Sequence, residues 1–129
     1  MKLLFDTHAF IWWRSDPARL PNDVLEACHR LDNELLVSVA SIWEMQVKSQ
    51  IGKLELDEPL AEILANEQAI NRITIVSIEA HHVYELNALP LHHRDPFDRL
   101  LIAQARIEEA VLVTRDKIIR SYNVNTLWD

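Results

Sequence analysis

Glycine is almost missing from this sequence: Gly52 is the one example in 129 residues. A dinucleotide-binding turn and a phosphate-cradling loop both need several closely spaced glycines, so neither exists here. Cysteine is equally scarce, and the lone Cys28 excludes an internal disulfide. It reads as a small buried hydrophobe in a reducing compartment. No apolar run approaches the roughly 20 residues a helix needs to cross a bilayer, and the amino end lacks a signal-peptide layout. A soluble, cytoplasmic protein is expected. Positive charge is also short, with 13 Lys and Arg against 20 Asp and Glu, for a net charge of −7. That balance argues against a general electrostatic grip on nucleic acid, though it leaves room for a local basic rim around an acidic, metal-filled centre.

Apolar residues are plentiful, at 49%. A chain of this length fits one domain, residues 1–129, that buries roughly two-thirds of its unfolded surface. Short apolar strands alternate with amphipathic helices. Strands are predicted over Lys2–Phe5, Leu35–Ser38, Ile73–Val76, Val111–Thr114 and Val124–Leu127. Helices are predicted over Ala9–Arg14, Pro21–Leu31, Ala40–Ile51, Pro59–Ala69, Glu79–Asn87, Asp95–Glu109 and Lys117–Tyr122. Gly52 falls where a left-handed residue ends a helix. Strands apolar on both faces and separated by helices predict an α/β fold, a three-layer α/β/α sandwich around a parallel five-stranded sheet.

In such a fold the carboxyl ends of the strands and the amino ends of the helices share one edge, where ligands bind. Four acids map to that edge. Asp6 ends the first strand in "LLFDTH", and Asp116 follows the fourth in "LVTRDK". Glu44 lies one turn into the helix after the second strand, on a stripe with Ala40, Trp43, Val47 and Ile51. Asp98 lies in the first turn of the helix before the fourth strand, in line with Leu101, Ile102 and Ala105. Inward-facing acids are costly, and like charges about 4 Å apart repel by roughly 4 kcal/mol at an effective dielectric of 20. A divalent cation is the simplest remedy. Oxygen donors favour Mg²⁺ or Mn²⁺ over zinc, and such an ion activates water against a phosphate ester.

Each acid also has an ordinary reading. Asp6 and Asp116 are placed to cap helices. Asp95 followed by Pro96 looks like an N-cap with proline at the first helical position, and Asp98 would complete a capping pair. Glu44 fits neither a cap nor a solvent-facing position.

On these residues the sequence resembles the PIN-domain ribonucleases, and within them the VapC-type toxins of VapBC toxin–antitoxin pairs. The resemblance runs through "LLFDTHAFIWW", "VSVASIWEMQVKSQIGKL", "LPLHHRDPFDRLLIAQA" and "LVTRDKII". It implies a Mg²⁺- or Mn²⁺-dependent endoribonuclease, a cognate antitoxin partner and a homodimer. By position it places the acidic, metal-holding set on Asp6, Glu44, Asp98 and Asp116, with Asp95 and Thr114 in support. His8 stands where other members often carry a smaller polar residue, and a packing or loop role is expected for it.

Arg14, Arg94, Arg99, Arg115 and Lys117 are all predicted near the acidic edge, where Arg99 and Arg115 are the strongest candidates to hold RNA phosphates. His92 and His93, adjacent on a loop, seldom share one zinc ion. His81 and His82 are expected to be structural, and Trp12 and Trp13 to join the core or line a partner groove. Two rivals stand beside the nuclease. One is a non-catalytic module with the same fold. The other is a receiver-like phosphoacceptor domain, which needs paired acids after strand one and an acid after Ile73–Val76 that the sequence lacks.

Overall fold

A computed structural model describes residues 1–129. Five parallel strands form one sheet: β1 (Lys2–Phe5), β2 (Glu34–Ser38), β3 (Thr74–Val76), β4 (Val111–Val113) and β5 (Thr126–Leu127). Their order is β3-β2-β1-β4-β5. This is not the 2-1-3-4-5 order of receiver domains, which removes that rival. The chain winds outward from β1 to β3, then crosses back to place β4 against the other side of β1. A crevice therefore opens past the ends of β1 and β4, at the switch point.

Six α-helices cover the sheet: α1 (Thr7–Ser15), α2 (Asn22–His29), α3 (Val39–Gln50), α4 (Leu60–Asn71), α5 (Ala80–Glu85) and α6 (Pro96–Ile107). Strand side chains alternate between two cores, as the pleat requires. Leu3, Phe5, Leu35, Val37 and Val113 pack with Phe10 of α1, Val24 of α2, Met45 of α3 and Ile63 of α4. Leu4, Leu36 and Leu112 point the opposite way, toward Leu101, Ile102 and Ala105 of α6. No helix is long and apolar enough to cross a membrane.

The five expected strands are present, every expected helix but the last is an α-helix, and three elements depart most from their expected bounds. The segment expected as a helix over Lys117–Tyr122 makes a single 3₁₀ turn, Ile119–Ser121. The Asp116 carboxylate accepts from the Ile118 amide at 2.7 Å, which holds the start of this segment in a tight turn. The expected Glu79–Asn87 helix divides into α5 and a 3₁₀ turn, Leu86–Ala88. Strand β5 is only Thr126–Leu127, because it pairs solely with β4, itself three residues long.

Candidate metal centre

Each acid reaches the crevice for a local reason. Asp6 extends the β1–β4 pairing, its amide donating to Val113 O at 3.0 Å. Its carboxylate then caps α1 by accepting from Ala9 N at 2.8 Å. Asp95 caps α6 by accepting from the Phe97 and Asp98 amides, with Pro96 at the first helical position. That cap turns Asp98 toward the sheet, and Leu101, Ile102 and Ala105 below it are buried. Thr114, fully buried, accepts from the Asp116 amide at 3.0 Å and holds the turn after β4.

Asp6, Asp98 and Asp116 line one cleft of about 440 Å³ together with His8, Trp12 and Arg115. Glu44 lies behind it and is only 3% exposed. Its Oε1 accepts from Thr7 Oγ1 at 2.6 Å, and its Oε2 pairs with Lys48 Nζ at 2.7 Å. Ser41 Oγ, 3.1 Å from Thr7 Oγ1, completes this buried polar group.

The carboxyls differ in their electrostatics. Burial pushes Asp6 above the usual range, against hydrogen bonds with Thr114 and the Ala9 amide. Asp98 is pushed up to about 7, first by burial and then by Asp95, Glu44 and Asp6, with His93 opposing. Burial also raises Asp116, but His93 and the Ile118 amide outweigh it and hold that carboxyl below the usual range.

His93, weighed in the sequence only as a zinc ligand beside His92, joins the site in another way. Its Nε2 lies 3.0 Å from Asp116 Oδ2, to which it donates, and 3.1 Å from Asp98 Oδ2. Its Nδ1 accepts from the Asp95 amide at 3.2 Å, so the proton of the neutral ring sits on Nε2. With that tautomer His93 is a donor, and the groups free to hold a cation are all carboxylate oxygens. The ligand oxygens of Asp98 and Asp116 lie within 4.8 Å of each other. A crowded, all-oxygen, partly protonated set of this kind fits a hard divalent ion.

Several expectations need correction. The inward face of α3 is Ala40, Ser41, Glu44 and Met45, whereas Trp43, expected on the same stripe, is 57% exposed and Ile51 is exposed too. Trp43 packs edge-on against Phe97 at 4.9 Å on the surface. Arg14 is not at the acidic edge. It lies in the last turn of α1, roughly 10 Å along the helix from Thr7, and pairs with Asp57 and Glu58, each at 2.8 Å. Arg99 donates to Pro90 O, Leu86 O and the Tyr122 hydroxyl, so its guanidinium staples the loop before α6. Arg115, Arg94 and Lys117 are exposed, and Arg115 lines the cleft.

The remaining candidates fall into place around the cleft. Trp12 packs against Trp128 and under the Arg19 guanidinium, and Trp13 against Phe5, while Trp12 also forms one cleft wall. His8 is exposed at the rim and His92 lies edge-on to Tyr122. His81 and His82 sit on α5, away from the cleft. The pairing of Glu44 with Lys48 was legible as an i, i+4 pair. Nothing periodic marked His93, which sits in an irregular loop.

A PIN domain family model matches residues 3–125. The chain is 31% identical to Ribonuclease VapC22 of Mycobacterium tuberculosis over 121 residues, which span 93% of this chain and 91% of that protein. Among solved structures, VapBC2 from Rickettsia felis bound to a DNA fragment from its promoter aligns at a TM-score of 0.74 and 18% identity, covering 100% of both chains. VapBC-1 from nontypeable Haemophilus influenzae aligns at 0.66 and 18% identity, covering 98% of this chain and 97% of that one. At that identity the two structures bear on the fold alone. The family model and the curated relative both run almost end to end, the model through all four acids, and on that ground the chain belongs to the PIN-domain family.

Proposed function

We propose that this chain, as one nuclease domain over residues 1–129, is a Mg²⁺- or Mn²⁺-dependent endoribonuclease and the toxin of a VapBC-type toxin–antitoxin pair. The observation that carries the reading is the gathering of Asp6, Asp98 and Asp116 in one cleft at the β1–β4 switch point, with Glu44 buried behind them. When bound, a divalent ion there polarises a phosphate and lowers the pKa of water enough to make it a nucleophile near neutral pH.

The chain's own groups hold, orient and screen. Asp6, Asp98 and Asp116 hold the ion, with Glu44 as the fourth acid of the set. Thr7 and Lys48 restrain Glu44, Asp95 aims Asp98 through the α6 cap, and Thr114 fixes the backbone that carries Asp116. Arg115, exposed on the cleft wall, binds a phosphate of the RNA strand and offsets the acidic field that would repel it. Arg99 makes three hydrogen bonds within the chain, which fix its guanidinium and leave two of its five N–H groups for an RNA phosphate. The named curated relative is a ribonuclease and the structural neighbours are VapBC pairs. These support an RNA substrate and a cognate antitoxin, and the proposal extends to a homodimer in the cytoplasm.

The test is cleavage of single-stranded RNA by the purified chain with Mg²⁺, with EDTA, and as Asp6→Asn. Cleavage in Mg²⁺ alone is expected. Hydrolysis that persists in EDTA or in the variant refutes the metal-centre reading. A folded chain that binds Mn²⁺ but cuts no RNA is a binding module instead. Co-purification with the product of an adjacent reading frame tests the antitoxin, and light scattering tests the dimer.

A further inference from the structure

Two aromatic rings of the cleft, His8 and Trp12, take no part in holding an ion. They lie on α1 at i, i+4 spacing, which sets them along one face of the helix. Asp6 caps that same helix, so the rings begin where the acid cluster ends. Trp12 is half-buried and fixed: Trp128 packs against its ring at 5.9 Å, and the Arg19 guanidinium lies over it at 4.9 Å. His8 is exposed, and its imidazole makes no hydrogen bond or ion pair with the chain. Its neighbouring ring is Trp12, 6.1 Å away.

A solvated histidine alone would need no explanation. Here the ring stands beside a rigid indole, in a cleft whose other residues are Asp6, Asp98, Asp116 and Arg115. A phosphodiester drawn to those acids by a divalent ion carries a ribose and a base on either side. The flat faces of a base gain nothing from carboxylates. They gain from aromatic rings, on which proteins stack the unpaired bases of RNA. In a duplex the neighbouring bases already cover both faces, so such a wall serves only a nucleotide free of the stack.

We propose that His8 and Trp12 form the nucleobase subsite of this cleft, stacking one unpaired base of an RNA strand beside the phosphodiester held at Asp6, Asp98 and Asp116. This inference rests on the nuclease reading above. Trp12, held by Trp128 and Arg19, is the rigid half of the platform, and little freedom is lost when it takes a base. His8 is the half left open to solvent. Arg19, exposed and without an ion pair, adds a positive charge beside the same ring and attracts the backbone of the stacked strand. Stacking senses the presence of a base rather than its edges, so the subsite selects single-stranded RNA and tolerates any of the four bases.

The experiment uses the full-length chain, with Asp6→Asn as background for binding and the native acids for cleavage. The probe is a short unstructured RNA with a mapped cut, made in versions that lack the base at each nucleotide around the cut in turn. Affinity is read by fluorescence anisotropy in Mg²⁺. One abasic position should weaken binding by about fivefold to a hundredfold, the range for a base stacked on an aromatic side chain. His8→Ala should lose a similar factor on the intact RNA and almost nothing more on that abasic RNA, the coupling expected of groups in contact. His8→Phe, which keeps a flat ring, should restore affinity. In cleavage, His8→Ala should raise KM far more than it lowers kcat. Pairing the RNA into a duplex should suppress the cut.

Trp12→Leu keeps apolar bulk against Trp128 without a π-face and should show the same coupling. Should it fail to fold, the exposed His8 decides alone. Losses equal at every abasic position, or undiminished in His8→Ala, overturn the subsite. So does a loss that His8→Phe fails to restore, or equal cleavage of single-stranded and duplex RNA. Variants that bind RNA normally but release a co-purified antitoxin assign the rings to that partner and overturn the subsite too. A chain that cuts no RNA overturns the nuclease reading and the subsite together, whereas metal-dependent cleavage untouched by the His8 and Trp12 variants overturns the subsite alone.

Discussion

His82 and His93 make nearly the same bonds and serve different ends. Each ring accepts a backbone amide at Nδ1, from Glu79 at 2.9 Å and from Asp95 at 3.2 Å. Each brings Nε2 to 3.0 Å from a carboxylate, Glu108 in one case and Asp116 in the other. Around His82 the charges close: one donor meets one acid, and Glu108 is held below its usual range chiefly by that hydrogen bond. The result is a clamp tying the start of α5 to the end of α6. Around His93 one donor meets two acids, with Asp6, Asp95 and Glu44 crowding Asp98 from behind. The difference lies in the number of negative charges per donor, which marks one cluster as structure and the other as a site.

The widest separation between the clusters should appear in activity. Asp6→Asn or Asp116→Asn is expected to lower Mg²⁺-dependent RNA cleavage by about a hundredfold or more, since each removes a charge the reaction relies on. Glu108→Gln should leave cleavage within about twofold. Initial rates on a fluorogenic RNA decide it, and a Glu108 variant as damaged as the Asp116 variant would erase the distinction.

Stability should reverse the ranking. His82→Ala removes a ring that is 1% exposed, opens the cap of α5 and strands Glu108 and the Glu79 amide. A loss of roughly 2 to 4 kcal/mol is expected by denaturant titration, with the folded fraction still active. Asp98→Asn, by contrast, should leave the metal-free protein as stable as wild type or more so. A His82→Ala chain that unfolds at wild-type denaturant concentrations would show that the clamp bears no weight.

The two clusters should also respond to pH with opposite sign. Asp98, at about 7 in the folded protein, keeps a proton that the unfolded chain releases above roughly pH 4. Its contribution to stability is therefore present at low pH and lost as pH rises toward 7. Glu108 is lowered, so its contribution is present above its unfolded value and lost as pH falls through the folded one. In EDTA, Asp98→Asn should flatten the decline in melting temperature between pH 5 and 7, and Glu108→Gln should blunt the loss below about pH 4.5. An Asp98 variant that keeps the wild-type slope from pH 5 to 7 would mean the carboxyls are not crowded.

How far this contrast was visible in the sequence depends on periodicity. Strand and helix periods located the sheet and brought Asp6, Glu44, Asp98 and Asp116 to one edge, because residues that end strands or open helices are fixed along the chain. Facing was less certain. Trp43 lay at helical spacing from Ala40 yet sits on the surface, because Phe97 of α6 offers it an outside partner that the α3 sequence does not encode. Arg14 was expected at the acidic edge, but Asp57 and Glu58 hold it elsewhere, and the Pro90, Leu86 and Tyr122 partners of Arg99 were not encoded in its helix either. His93 was hidden for the same reason: a loop has no period, so its side chain is aimed by contacts distant in sequence.

Arginines give the smallest and narrowest comparison. Arg115 is exposed on the cleft wall without an ion pair, whereas Arg106 near the clamp is held by Glu85 at 3.1 Å. If Arg115 neutralises one RNA phosphate, removing it costs the release of about one counterion, roughly fivefold in affinity near 0.1 M salt. The slope of log affinity against log salt should also become shallower by about 0.7, the value for one contact to a single strand. Arg106→Ala should change neither quantity, although both arginines carry the same charge in the same net field. Fluorescence anisotropy of a labelled single-stranded RNA, with Asp6→Asn in the background to prevent cleavage, reads both numbers at once. Equal losses from the two arginines would mean that RNA senses only the overall charge of −7. A loss confined to Arg115 would mean that the strand passes the acidic cleft along that wall.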